Sequence, residues 1–445
     1  MKLVIYRAAD AFLYLPTYVA EELGIFKTLL RGLGVTEVEF KTSKGDADAV
    51  IDMHKANSET DTISIAIGDP TAFLSLRVRE ENGFKKDDIR VIGAIINKLS
   101  FWAVNHTNTV FNSIEDFEKE FTKVIHYNDE LITGYYLGNK VKNLSKINNG
   151  RTVDFGTEID VLEEEEDFKK LAITADIVSV AKGISRTTNA LTINYRFSKP
   201  NEDHLTTGIT TTVKCCQEHT EILNKIIEGI QKSILIIYSS NQVAEKICET
   251  ISKKPAFNKV TIDQATISKI IDLINEDKFY PADLNISEKG WKESLTALAK
   301  THQWNSEIEK EVLETSFQKY VDNSFVHRAE KSLANQLGIN LETFEEEIKP
   351  LKEENKQLKE RAKYYIPWLS VCNNALYYLL RSIKKHFKFI VLAIVGISLF
   401  AIYKLYIKEP ITAKEWFLAG AGGILASIVG AFLYDWFKKK NEQSS

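Results

Sequence analysis

Residues 63–72 read Ile-Ser-Ile-Ala-Ile-Gly-Asp-Pro-Thr-Ala, and the way this run stops decides what the chain builds. Ile63, Ile65, Ala66 and Ile67 make a short apolar stretch of the kind that forms a strand buried on both faces. The run ends at Gly68, which permits close approach of the backbone. Pro70 comes next, which cannot donate to a sheet ladder. A helical pattern then covers 70–81. Strand, tight loop and helix form the repeating unit of parallel sheets, whose ligands sit at the loops beyond the carboxyl ends of strands.

Working outward, the same alternation recurs. Further strands are predicted at 3–6, 38–41, 90–95, 101–104, 123–127 and 191–195. Helical patterns lie at 11–30, 45–57, 114–121, 129–144 and 166–173, then at 217–239, 241–253, 263–276 and 287–300. The order predicts an α/β protein with mainly parallel sheets. Leu3–Tyr6 reads as its first strand rather than the apolar core of an export signal, which Arg7 and Asp10 would interrupt. No phosphate-binding glycine loop, dinucleotide fingerprint or HExxH zinc motif occurs, and no Ser/His/Asp arrangement can be read from spacing. The four cysteines show neither a disulfide framework nor zinc spacing. The expectation is therefore no catalytic residues, no metal and no cofactor.

Several phrases resemble the substrate-binding proteins of ABC importers for nitrate, sulfonates and thiamine-pyrimidine precursors. They are Ala-Asp-Ala-Phe-Leu-Tyr-Leu-Pro-Thr-Tyr-Val-Ala-Glu-Glu-Leu-Gly-Ile-Phe-Lys (9–27), the Gly-Asp-Pro strand end at 63–72 and Tyr-Asn-Asp-Glu-Leu-Ile-Thr-Gly-Tyr-Tyr-Leu (127–137). Ile-Thr-Ala-Asp-Ile (173–177) and Phe-Tyr-Pro-Ala-Asp-Leu-Asn-Ile-Ser-Glu-Lys-Gly-Trp (279–291) continue the series in family order. The resemblance implies a two-lobed type-2 periplasmic-binding-protein-like fold over 1–305, with a second lobe of about 98–198 inserted and a ligand cleft between the lobes. Three strand-to-helix loops then become candidates, at 10–14, 68–71 and 129–135, with a contribution near the lobe crossing. The candidate ligand-binding residues are Asp10, Tyr14, Gly68, Asp69, Thr71, Trp102, Thr133, Gly134 and Tyr135. Free N–H groups at helix starts favour an anion. Asp10 and Asp69 would repel one, which favours a zwitterionic or heterocyclic ligand bearing N–H groups. Asp10 and Asp69 also fit plain helix caps, and Trp102 a core position.

The charge distribution separates this body from the C-terminal region. The chain carries −4 in total, which excludes a globally basic nucleic-acid binder. Residues 381–445 hold ten Lys and Arg against four Asp and Glu, net +6, leaving −10 for residues 1–380. Two membrane-length segments, 389–407 and 416–434, lie in this basic tail and predict a transmembrane hairpin in the lipid bilayer. Seven cations flank the outer ends and three the loop side, which predicts a cytoplasmic body. Before the hairpin come a helical linker at 306–340, a heptad segment at 341–363 and an aromatic interfacial helix at 364–388. Asn355 occupies an a position of the heptads, which fits either a dimeric stalk or an intramolecular helix. The reading is a membrane-tethered small-molecule sensor, with an importer's binding component or a bilayer-acting effector as alternatives.

Overall fold

The computed structural model describes residues 1–81, 83–126, 141, 145–146, 157–163, 169–197, 203–257, 262–281, 283–301 and 306–336. Thr133, Gly134 and Tyr135, the heptad segment, the interfacial helix and both membrane segments lie outside the described residues. Among the described residues no helix is long and apolar enough to cross a membrane.

The first sheet grows around β1 (Lys2–Arg7), whose Leu3, Val4 and Ile5 are buried. It pairs in parallel with β2 (Glu37–Thr42) on one side and β3 (Thr62–Gly68) on the other. The sheet is completed by β4 (Ile89–Ile96) and β10 (Thr207–Thr212), in the order β2-β1-β3-β10-β4. β5 (Trp102–Asn105), β6 (Lys123–His126), β7 (Ser145–Lys146), β8 (Lys170–Thr174) and β9 (Thr192–Arg196) form a second sheet, ordered β7-β6-β8-β5-β9. All its strands fall between β4 and β10 in the chain.

Four differences from the sequence reading have physical causes. The helix predicted over 11–30 is broken into a 3₁₀ turn (Phe12–Tyr14), α1 (Leu15–Glu22) and α2 (Ile25–Leu29). Pro16 suits only a helix start, and Gly24 at φ 59° turns the chain between the two helices. Within the helical pattern of 166–173, the chain from Lys170 forms β8 instead, every one of its residues buried. β10 escapes an apolar search because four of its six residues are threonine. β-branched Thr nevertheless packs well in a strand, and Thr211 donates from Oγ1 to the Ser64 carbonyl at 2.8 Å. β10 runs antiparallel to β3 and β4, and β5 antiparallel to β8 and β9, so the sheets are mixed rather than mainly parallel.

Helices cover the sheets. They include α3 (Asp46–Ala56), α4 (Ile177–Ile184), α5 (Thr220–Ser239), α6 (Asn241–Ser252), α7 (Gln264–Glu276), α8 (Glu288–Thr301) and α9 (Ser324–Gln336). One apolar cluster runs through both lobes, joining Ile5, Phe12 and Ile65 to Trp102, Ala172, Ile177 and Ala181. α4 packs on α7 and on the 3₁₀ turn of the first lobe. Asp176 caps α4, accepting from the Val178 and Ser179 amides at 3.1 and 3.3 Å.

α9 is held to α5 by a buried carboxylate. Glu228 accepts from Lys225 and Lys232 at 2.7 and 2.8 Å, from Ser332 at 3.0 Å and from Gln336 at 2.8 Å. Burial alone would raise this group, but Lys225, Lys232 and Gln336 hold it down at about 2. A depressed carboxylate stabilises the fold above its ordinary value of 4.5 and loses that contribution as pH falls towards about 2. Glu228→Gln should therefore lower stability at pH 7 by about 1–3 kcal/mol and have almost no effect near the acid limit. Thermal melting at both ends of that range checks this, and an equal loss at both would refute it.

Candidate functional site

Because β1, β2 and β3 are parallel, their carboxyl ends share one edge of the first sheet. The chain leaves β1 towards β2 on one side and returns from β2 to β3 on the other. The crevice of such a sheet opens where connections diverge, here between β1 and β3. Three loops meet there: 8–14 after β1, 43–45 leading into α3, and 69–71 after β3.

Gly68 closes the floor. A Cβ at this position would overlap the Asp46 carboxylate and lie 2.9 Å from the Ala8 side chain, so a larger residue would push both aside. The Asp69 amide donates to Asp46 Oδ1 at 2.7 Å. Thr71, fully buried, donates from its amide and its hydroxyl to Asp69 Oδ1, both at 2.8 Å. Two carboxylates thus face each other across the β3 end. Asp46 is solvent-exposed and Asp69 half-buried. Burial, then the Asp46 charge, raises Asp69 to about 7.

Tyr14 completes this group. It is 6% exposed, and burial, then Asp46 and Asp69, hold its hydroxyl un-ionised far above the usual tyrosine range. The phenol oxygen makes no hydrogen bond to any described residue, while the Tyr14 carbonyl accepts from Thr17 Oγ1 at 2.8 Å.

The remaining candidates stand elsewhere. Asp10 Oδ1 accepts from Tyr18 at 2.7 Å and from Thr42 at 2.9 Å, tying the first loop to α1 and β2 on the far side of β1. Beneath it the buried Arg7 bonds Thr17 at 2.7 Å and Glu21 at 2.5 Å and lies 3.8 Å from the Tyr18 ring centre. Trp102 is buried at the lobe crossing. Its Nε1 donates to Asp277 at 2.8 Å and its ring stacks on Phe279, centres 6.1 Å apart and planes 4° from parallel. It reaches the first loop only through a relay: Phe279 abuts Tyr280, whose hydroxyl donates to the Phe12 carbonyl at 3.1 Å. The structure thus brings Tyr14, Gly68, Asp69 and Thr71 together and adds Asp46. The signal for Asp46 lies in Gly45-Asp46 at a strand-to-helix loop. A separate cavity of about 280 Å³, lined in part by Asn57, Asp61, Cys215 and His219, opens at the opposite ends of the strands. Among the described residues no cluster of His, Cys, Asp or Glu could hold a metal ion.

Solved structures place this architecture. The chain is similar to a putative periplasmic sulfonate-binding protein of a sulfonate ABC transporter from Methylobacillus flagellatus KT, with a TM-score of 0.50 and 14% identity, over 75% of this chain and 95% of that one. It has a periplasmic-binding-protein fold. It is also similar to the periplasmic aliphatic sulphonate binding protein from Escherichia coli, with a TM-score of 0.49 and 7% identity over 73% and 98% of the two chains. The periplasmic nitrate-binding protein from Synechocystis PCC 6803 gives a TM-score of 0.45 and 11% identity over 74% and 88%. No protein-family model and no curated protein matches the chain. Identities this low establish the shared fold alone, so the chemistry must be argued from the residues.

Proposed function

We propose that this protein is a non-catalytic receptor that binds a small molecule at the carboxyl edge of its first sheet and is tethered to a membrane. The observation that carries the binding reading is the convergence of Tyr14, Asp46, Asp69 and Thr71 on the β1/β3 crevice, around Gly68, where an added side chain would displace Asp46 and Ala8. A fold whose second sheet is inserted between two strands of the first supplies two bodies that can close on a ligand. Closure shifts a pre-existing balance only through contacts made better in the closed form. The tether rests on the segments 389–407 and 416–434, and the cytoplasmic orientation on the excess of cations at their outer ends. Residues 341–363, with Asn355 at an a position, would pair two chains.

Two measurements on the full-length chain in detergent and in vesicles test this. Native mass spectrometry should show a small molecule that stays bound through purification and leaves on denaturation. No such adduct, together with no melting shift from a library of small metabolites, would sink the receptor reading. Single cysteines placed in the loop 408–415 should be labelled from outside cells, and cysteines near residue 445 should not. The opposite pattern would put the body outside.

A further inference from the structure

Among the described residues the crevice holds two carboxylates and no cation paired with them. Among the described residues neither Asp46 nor Asp69 forms an ion pair, and neither receives a hydrogen bond from Lys, Arg or His. The cations on the neighbouring elements are engaged elsewhere: Arg7 with Glu21, and Arg77 with Asp48 at 3.4 Å. Lys44, two residues before Asp46, is exposed and pairs with neither carboxylate. Buried or hemmed-in charge is normally paired.

A second observation is independent of the acids. Tyr14 is nine-tenths buried, and its hydroxyl is one of the strongest polar groups at the crevice, yet it has no partner among the described residues. The oxygen is not sealed off from solvent. It lies within electrostatic reach of both carboxylates. A hydroxyl this confined, with only solvent to bond, can exchange that water for a group of the ligand.

We infer that Asp46, Asp69 and Tyr14 form a subsite for a positively charged nitrogen of the ligand, an amine or amidine group. This rests on the small-molecule reading above and narrows it. One oxygen of each carboxylate is already engaged, Asp46 Oδ1 by the Asp69 amide and Asp69 Oδ1 by Thr71. Each keeps a second oxygen for the ligand. A nitrogen with two or three N–H donors satisfies those oxygens and the phenol together, whereas a sulfonate or nitrate would meet like charge.

Benzylamine and benzamidine serve as probes, with benzenesulfonate as the matched anion, in thermal melting and calorimetry of the full-length chain in detergent. Both cations should raise the melting temperature more than the anion does. Their affinity should fall about tenfold in Asp46→Asn and Asp69→Asn, and by a smaller factor in Tyr14→Phe. Asn keeps the acceptors used by the Asp69 amide and by Thr71. The Tyr14 hydroxyl has no partner to lose among the described residues, so Tyr14→Phe reads the subsite even if an Asn variant fails to fold. Equal cation binding by wild type and all three variants overturns the inference, as does protection by benzenesulfonate alone, or no cation binding up to about 10 mM. If native mass spectrometry finds a bound molecule with no basic nitrogen, the charge preference falls and the receptor reading stands.

Discussion

Trp102→Ala is expected to destabilise the protein by about 3–5 kcal/mol, the largest single effect anticipated for a residue of the described body. The indole is 1% exposed and fills the crossing between the sheets. Removing it leaves a cavity against Phe279 and strips a donor from Asp277, whose carboxylate is almost wholly buried. Burial pushes Asp277 upward; Arg196, at 2.7 Å, and the Trp102 N–H oppose that. With the indole gone, the buried charge keeps Arg196 and the nearby Lys98 but loses its N–H donor. Trp102→Phe keeps one ring on Phe279 and loses the N–H and the second ring, so it leaves a smaller cavity than alanine does. It should cost about 1–2 kcal/mol. Because Phe279 leads through Tyr280 to the Phe12 carbonyl, the alanine variant should also loosen the turn that carries Tyr14. Denaturant unfolding of the full-length chain in detergent measures the first effect, and hydrogen exchange at 12–14 the second. An alanine variant as stable as wild type would mean the lobes do not meet at this residue.

The sequence is legible wherever its signals are local. The β3 run and its Gly-Asp-Pro stop identify one strand end and one loop without help from the rest of the chain, and Tyr14, Gly68, Asp69 and Thr71 do converge. Asp46 escapes notice because an acid in a first helical turn satisfies the helix dipole as well as it serves a ligand. Only the close packing of Gly68 against its carboxylate separates the two uses. Trp102 is the converse case: an aromatic at a crossing reads the same whether it stacks on a ligand or on Phe279. β10 is invisible because its threonines carry no apolar pattern, and its place between β3 and β4 is set by pairing across more than a hundred residues. β8 lies just after an acidic run, Glu163–Asp167, and the charge pattern reads as a helix start although residues 170–174 bury on both faces.

Asp69→Asn should stabilise the empty protein in mild alkali while it weakens the ligand. In the fold, burial and the Asp46 charge raise this carboxyl from an ordinary 3.8 to about 7. A group raised in the folded state contributes stability that is fully present below its unfolded value and is lost as pH rises through its folded one. The empty wild type should therefore be less stable at pH 8 than at pH 5. A shift that large in a dry site would be worth up to about 4 kcal/mol. Water reaches both carboxylates, so about 1–2 kcal/mol is the expected loss. Among the described residues the groups facing Asp69 are Asp46 from α3, Tyr14 from the first loop and Thr71 from its own, and none is a cation. Asn accepts from Thr71 as Asp does and cannot ionise, so the variant should melt above wild type at pH 8 and by a smaller margin at pH 5. If the two proteins track each other at both pH values, the carboxylates do not confront one another in solution. Strain of this kind persists where function requires it. A cationic nitrogen entering between Asp46 and Asp69 would cancel the repulsion and return Asp69 towards its ordinary range. Binding near pH 7 should then release protons from the wild type and none from that position in the Asn variant, which calorimetry in buffers of different ionisation enthalpy resolves.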